Sequence, residues 1–305
     1  MILGVDVYSG YGQIDWHRAA DAGVRFAIIK CVQGNDSVDS AYARNVAGAK
    51  QAGVLVGAYL FAYPLPSGEG KPAGRSPREQ AERLAREVER AGVDLDLPPA
   101  LDLEWPARWD RRYTTATGGF QDRWAHWGVN AAFIADWGLE CLAELKRLFG
   151  RVPLLYTYPD FWRSLGTHGE RPEWARYPLW IANWTHPGDG TPPPTKRPIV
   201  PAPWTDWTIW QFSADGSPVR VPGIPVSPLD RNVVRDEATL RRLSGLDGPD
   251  TLPEIVPEVV RPCPVDPVVV FEDGPVVIDG GTVHPRVPLG RPRLDGDDDD
   301  GPDAA

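Results

Sequence analysis

Short apolar runs alternate with stretches of helical spacing through residues 1–212. Ile2–Asp6, Phe26–Lys30, Val54–Phe61, Val152–Thr157, Leu179–Asn183 and Trp207–Phe212 are apolar, rich in β-branched and aromatic residues, and four to eight residues long. Each predicts a buried strand. Between them, Ile14–Ala22, Ala41–Ala52, a stretch ending near Ala91 and one from about Gly128 to Leu148 space their apolar residues for helices. The punctuation agrees. Gly23, Gly53 and Gly92 follow three of these stretches, where a left-handed residue ends a helix. Ser76-Pro-Arg-Glu79 has the capping-box pattern with Pro77 at the first helical position. Asp15, just before Trp16, reads as a helix-start residue. Strand–helix–strand units with short connections predict a parallel sheet. Seven or eight such strands over about 230 residues predict an α/β fold closed as a barrel of the (β/α)8 type.

One further strand carries the chemistry. Ala100-Leu-Asp-Leu-Glu104 follows the turn-like Leu95-Asp-Leu-Pro-Pro99. Alternation along a strand places Asp102 and Glu104 on one face and Leu101 and Leu103 on the other. Two neighbouring carboxyls cannot both ionise cheaply, so one keeps its proton to higher pH, as general acid catalysis requires. Glycoside hydrolysis is the reaction most associated with such a pair. For an isolated Asp-X-Glu the alternatives are a solvated strand end or an ion pair with a nearby Arg. Asp6, Glu104 and Asn183 all fall at strand ends, where barrels of this type place their active sites.

Composition narrows the function classes. Thirteen Trp and 42% hydrophobic residues fit a folded globular chain. The net charge of −10 is carried entirely by residues 246–305, which hold 14 acidic and 4 basic residues. The rest is balanced and offers no basic face for nucleic acid. No run approaches the roughly 18 apolar residues of a membrane span. The N-terminus lacks the basic and apolar regions of a signal peptide. Cys31, Cys141 and Cys263 are too scattered for a zinc site or disulfide framework, and the first two read as buried thiols. None of the five His sits in a metal or triad pattern.

Taken together, the acidic strand and its flanking segments resemble glycoside hydrolase family 25, the Chalaropsis-type lysozymes of bacteria, fungi and many phages. The resemblance is carried by Gly4-Val-Asp-Val-Tyr-Ser9 with Gln13-Ile-Asp-Trp16, by Phe26–Lys30 with Gln33-Gly34, and by Ala47–Gly57 with Ala58–Ala62. Ala100–Glu104, Pro178–Trp184, Ile209–Phe212 and Leu229-Asp-Arg-Asn232 complete it, over about residues 1–235. It implies a flattened barrel with some helices missing, and hydrolysis of the β-1,4 bond between N-acetylmuramic acid and N-acetylglucosamine in peptidoglycan glycan strands. It implies no metal or cofactor. Residue by residue, it makes Glu104 the general acid and Asp102 the stabiliser of developing positive charge or of an attacking N-acetyl group. Asp6 and Asp230 become supporting carboxylates. Read alone, Asp6 is equally an acceptor for backbone N–H groups at a strand end, and Asp230 an Asx-turn residue. The chain departs from the family pattern at Leu60, where His is common, and at Gln33, where Glu is common.

Tyr63, Trp105, Tyr156, Trp184 and Gln211 lie near strand ends as sugar contacts. Trp180 and Trp210 read as barrel core, and Asp206 as a surface residue. Residues 105–127 form a long aromatic insertion, suited either to sugar faces or to loop packing, and 185–206 a Pro-rich excursion. Residues 1–245 form the predicted hydrolase domain, and 246–305, with eleven Pro, a linker and tail with a hairpin at 268–284. A hairpin alone is marginal in water, so a virion component or a second copy of the chain is the partner expected there. The alternative to a lysis enzyme is accordingly a virion structural component anchored by its tail. Either would be made in the cytoplasm and reach the wall by phage release or in a particle. Asp102 and Glu104 share a strand and cannot flank a sugar from opposite sides, which favours N-acetyl assistance or water attack aided by Asp6 or Asp230.

Overall fold

A computed structural model describes residues 1–35, 37–65, 76–104, 129–184, 197–213, 220–225 and 229–246. The strands are β1 (Ile2–Val7), β2 (Phe26–Gln33), β3 (Ser37–Val38), β4 (Leu55–Phe61), β5 (Ala100–Asp102), β6 (Leu154–Thr157), β7 (Leu179–Ala182), β8 (Ile209–Ser213) and β9 (Arg231–Val234). The helices are α1 (Trp16–Asp21), α2 (Tyr42–Gln51), α3 (Pro77–Ala91), α4 (Ala131–Phe149), α5 (Pro159–Ser164) and α6 (Glu237–Leu243). The strands pair in the order β1-β2-β4-β5-β6-β7-β8-β9, and β9 returns to β1. Eight strands therefore close a barrel, with β3 appended to the edge of β2.

Closure differs in one respect from the (β/α)8 expectation. Every pair from β1 to β8 is parallel, but β9 runs antiparallel to both its neighbours. The turn expected around Asp230 gives way to residues 231–234 as a strand. They are a strand of four whose first two residues, Arg231 and Asn232, are polar, so no apolar run announces it. Helices cover the outside. The sequence signals that open and close them hold in the structure. Asp15 accepts a hydrogen bond from Arg18 N, Ser76 and Glu79 form the capping box, and Gly92 ends α3 in the left-handed conformation.

The apolar residues divide into two layers. Leu101, Leu103, Ile29 and Val56 face outward against the helices. Phe26, Ile28, Ala100, Leu154, Trp180 and Ile209 fill the barrel interior, and Leu240 and Leu243 of α6 join them at its base. Trp180 is interior core as expected, but Trp210 is not: it packs outside with Trp207 and Phe212. Gly4 is needed inside, because a Cβ there would sit 2.3 Å from the Phe26 ring. Cys31 and Cys141 are buried free thiols, and Asp206 is a surface residue paired with Arg235. No helix among the described residues is long and apolar enough to cross a membrane. The 105–127 insertion, Cys263, the 268–284 hairpin and residues 247–305 lie outside the described residues.

Candidate active site

The barrel interior changes character along its axis. Apolar residues fill the end where the parallel strands begin. Polar ones occupy the end where they finish, because five strands end inward on a polar or aromatic residue: Asp6, Lys30, Asp102, Tyr156 and Gln211. These side chains line a cavity of about 850 Å³ together with Glu104 and Asp230.

Alternation works as expected on β5. Leu101 and Leu103 join the outer core, while Asp102 and Glu104 both reach the cavity. Regular pairing stops at Asp102, yet Leu103 N still donates to Tyr156 O at 3.0 Å, so Glu104 keeps the strand's direction. Asp102 is buried, and its Oδ1 accepts no hydrogen bond among the described residues. Burial first, then the Glu104 charge beside it, hold the Asp102 carboxyl well above its ordinary range, against the pull of Lys30. Burial likewise raises Glu104 to about 7, with Lys30 opposing and Asp6 adding to the rise.

Asp6 is fixed by two neutral amides. Its Oδ1 accepts from Gln211 Nε2 at 2.9 Å and Asn232 Nδ2 at 2.6 Å. These bonds favour the anion, but burial outweighs them and raises Asp6 to about 6. Asn232 is itself oriented by Trp180, whose Nε1 donates to its Oδ1 at 2.7 Å. Asp230 stands just before β9. Its carbonyl accepts from Asp6 N at 3.3 Å, and its Oδ2 accepts from Tyr11 Oη at 2.8 Å. Gln211 Oε1 accepts from Tyr156 Oη at 3.2 Å and Trp184 Nε1 at 3.0 Å, so one glutamine ties Asp6 to an exposed indole at the rim.

Asp6, Asp102, Glu104, Asp230, Tyr156, Trp184 and Gln211 are thus brought to one cavity. Tyr63 is not among its lining residues. It is fully buried beneath it, with its backbone hydrogen-bonded to the Gln80 side chain, and its hydroxyl accepts from Gln33 Nε2. Strand position alone could not separate a residue at the mouth from one behind it. Trp105 lies outside the described residues. Sequence reasoning passed over Lys30, Tyr8, Tyr11 and Asn232. The first had a signal: like Asp6, it is a charge at the end of an apolar strand.

Lys30 reaches the cavity by the regular alternation of β2, on the same face as Phe26 and Ile28. The β2–β4 register shifts between Lys30 and Val32, and Cys31 and Val32 both join the outer core. The bulge after it brings Gln33 to the side that Lys30 already faces, where Lys30 Nζ donates to Gln33 Oε1 at 2.6 Å. Burial lowers the pKa of Lys30, while Asp102, Asp39 and Glu104 act to raise it.

A protonatable glutamic acid beside further carboxyls, open to solvent at the C-terminal mouth of a closed barrel, is equipped to donate a proton to a glycosidic oxygen and to face the positive charge that follows. The site and fold define a glycoside-cleaving enzyme. Comparison with known proteins agrees. The family model for glycosyl hydrolases family 25 matches residues 5–221. Lysozyme M1 of Streptomyces globisporus is 29% identical over 234 residues, 76% of this chain and 67% of that one. The N,O-diacetylmuramidase of Chalaropsis sp is 28% identical over 215 residues, 70% of this chain and 88% of that one. The solved bacterial lysozyme of Streptomyces coelicolor superposes with a TM-score of 0.60 at 27% identity, covering 80% of this chain and 96% of that one. The muramidase of Acremonium alcalophilum gives 0.59 at 26%, covering 81% and 100%. The chain belongs to glycosyl hydrolase family 25, and it is a glycoside hydrolase.

Proposed function

We propose that this glycoside hydrolase is an N-acetylmuramidase, cleaving the β-1,4 bond between N-acetylmuramic acid and N-acetylglucosamine in peptidoglycan, with Glu104 as its general acid. One observation carries the assignment: Glu104 stands in the acidic cavity as a half-buried carboxyl whose pKa is pushed up to about 7. Such a group still holds a proton where the enzyme must work, which a solvated Glu would not. The names of the relatives, lysozymes and muramidases, support the choice of substrate.

In this reading Glu104 protonates the leaving oxygen as the bond stretches. Asp102, on the same face of β5, lies beside the sugar and stabilises the oxocarbenium-like charge, or the N-acetyl group if that group attacks. Asp6 and Asp230 support the negative field of the site, and the charge of each raises the pKa of Asp102. Trp184, half exposed at the rim, offers an apolar face to a sugar ring, and its bond to Gln211 fixes that face relative to Asp6.

The test is release of reducing ends from purified peptidoglycan. The wild-type chain should release them, and Glu104→Gln should lose activity by about 10²–10⁴-fold. Equal rates from both proteins would overturn the assignment of Glu104.

A further inference from the structure

We propose that Lys30 reads the substrate: its ammonium receives a carboxylate carried by the muramic acid residue of the glycan. The inference deepens the muramidase reading and rests on it. Lys30 shares its cavity with Asp6, Asp102, Glu104 and Asp230. Even so, it is in salt-bridge contact with none of them, nor with any other carboxylate among the described residues. Its one hydrogen bond there goes to the neutral Gln33 Oε1, at 2.6 Å. An ammonium has three donors, so two remain.

The charge is also held in place. The β2 bulge turns Gln33 to the side that Lys30 faces, and Gln33 is in turn bonded to the Tyr63 hydroxyl. Lys30 Nζ lies 4.7 Å from the Phe61 ring centroid and 5.9 Å from that of Tyr8, within the range of cation–π attraction. A half-buried, fixed cation with unused donors is suited to one anionic group, and the other cation lining the cavity, Arg163, is exposed and already paired with Asp160. The surrounding carboxyls repel an anion anywhere else.

N-acetylglucosamine is uncharged and has no use for such a cation. N-acetylmuramic acid adds a lactyl ether ending in a carboxyl. In stem-free strands that group is a free carboxylate. Where a stem peptide is attached it is an amide, and the stem supplies carboxylates of its own. If Lys30 served only to offset the charge of the carboxyl cluster, its loss would affect all substrates alike.

The experiment compares kcat/KM on stem-free glycan strands, on the same strands with the lactyl carboxyl methyl-esterified, and on stem-bearing strands, using wild type, Lys30→Met and Lys30→Arg. With a lactyl carboxylate at Lys30, the wild type prefers free acid over ester by about tenfold, the size of one charge-assisted hydrogen bond. Lys30→Met brings that ratio to about one, and Lys30→Arg keeps it. With a stem carboxylate at Lys30, the ratio that behaves in this way is stem-bearing strands over ester. A wild type with no preference in either comparison overturns the inference without any variant. So does a Lys30→Met protein that melts like the wild type and keeps both ratios. A wild type that releases reducing ends from none of the three overturns the muramidase reading, and this inference with it.

Discussion

Glu104 is poised because burial costs its anion more than Lys30 offsets, which raises its pKa to about 7. Two consequences follow at this scale. A general acid works protonated, so kcat/KM should fall as the pH rises through about 7, and a pH–rate profile flat across that range would remove Glu104 from the role. The second concerns stability. The ordinary value for Glu104 is 4.5, so its folded pKa is the higher one. Stability from this group is complete below about 4.5 and is lost as the pH rises through about 7. Asp6 and Asp102 are shifted in the same direction. Glu104→Gln, always neutral, should therefore melt above the wild type at pH 8 and gain nothing at pH 4. Calorimetry should show roughly 2–4 °C for each 1 kcal/mol relieved. A lower melting temperature at pH 8 would mean that the buried charge carries no cost. The Asp102–Glu104 pair was legible from strand alternation alone. Asp230 was not: its local sequence reads as a turn, and only the family resemblance pointed to it.

At the scale of elements, small departures from regularity place the chemistry. The bulge in β2 turns Gln33 to the side of Lys30, and nothing in Phe26–Gln33 marks it, since Cys31 and Val32 are apolar and fit an unbroken strand. Helix α4 holds the acidic strand from outside. A Cβ on Gly138 would lie 2.9 Å from both Leu103 Cδ2 and Trp174 Cη2. Gly138→Ala should therefore destabilise by about 1–3 kcal/mol. It should also lower kcat, because Leu103 immediately precedes Glu104. Denaturant unfolding and turnover together check this, and unchanged values in both would show that Leu103 moves freely. By contrast, Ser76→Ala removes a cap remote from the cavity. It should cost about 1 kcal/mol and leave turnover as it is. The α3 cap was legible because Ser, Pro and Glu at fixed offsets have few other uses. Strand β9 was illegible because it is four residues long, opens on two polar residues, and its inward Asn232 has partners distant in sequence.

At the scale of the whole molecule, β9 joins closure of the barrel to the site. Asn232, fully buried, sits on the closing strand opposite Gly4 and Gln211, and bonds both Asp6 and Trp180. Asn232→Leu should leave the Trp180 indole N–H without its acceptor, at about 1–3 kcal/mol, and Asp6 with Gln211 as its remaining side-chain donor. It should also push Asp6 further above about 6, since the Asn232 bond lowers that pKa. An NMR titration of the Asp6 carboxyl that finds it unmoved would separate closure from electrostatics. The barrel itself was legible because strand–helix alternation runs through most of the chain. Its antiparallel seam was not, since direction is set by pairing across the closure rather than by local pattern.

The central claim, a muramidase acting through Glu104, is tested most directly by mass spectrometry of the soluble fragments released from purified peptidoglycan, with Glu104→Gln alongside. Muropeptides ending in reducing N-acetylmuramic acid, released by the wild type and absent with the variant, are the predicted result. Fragments ending in reducing N-acetylglucosamine, or the same fragments from both proteins, would contradict it.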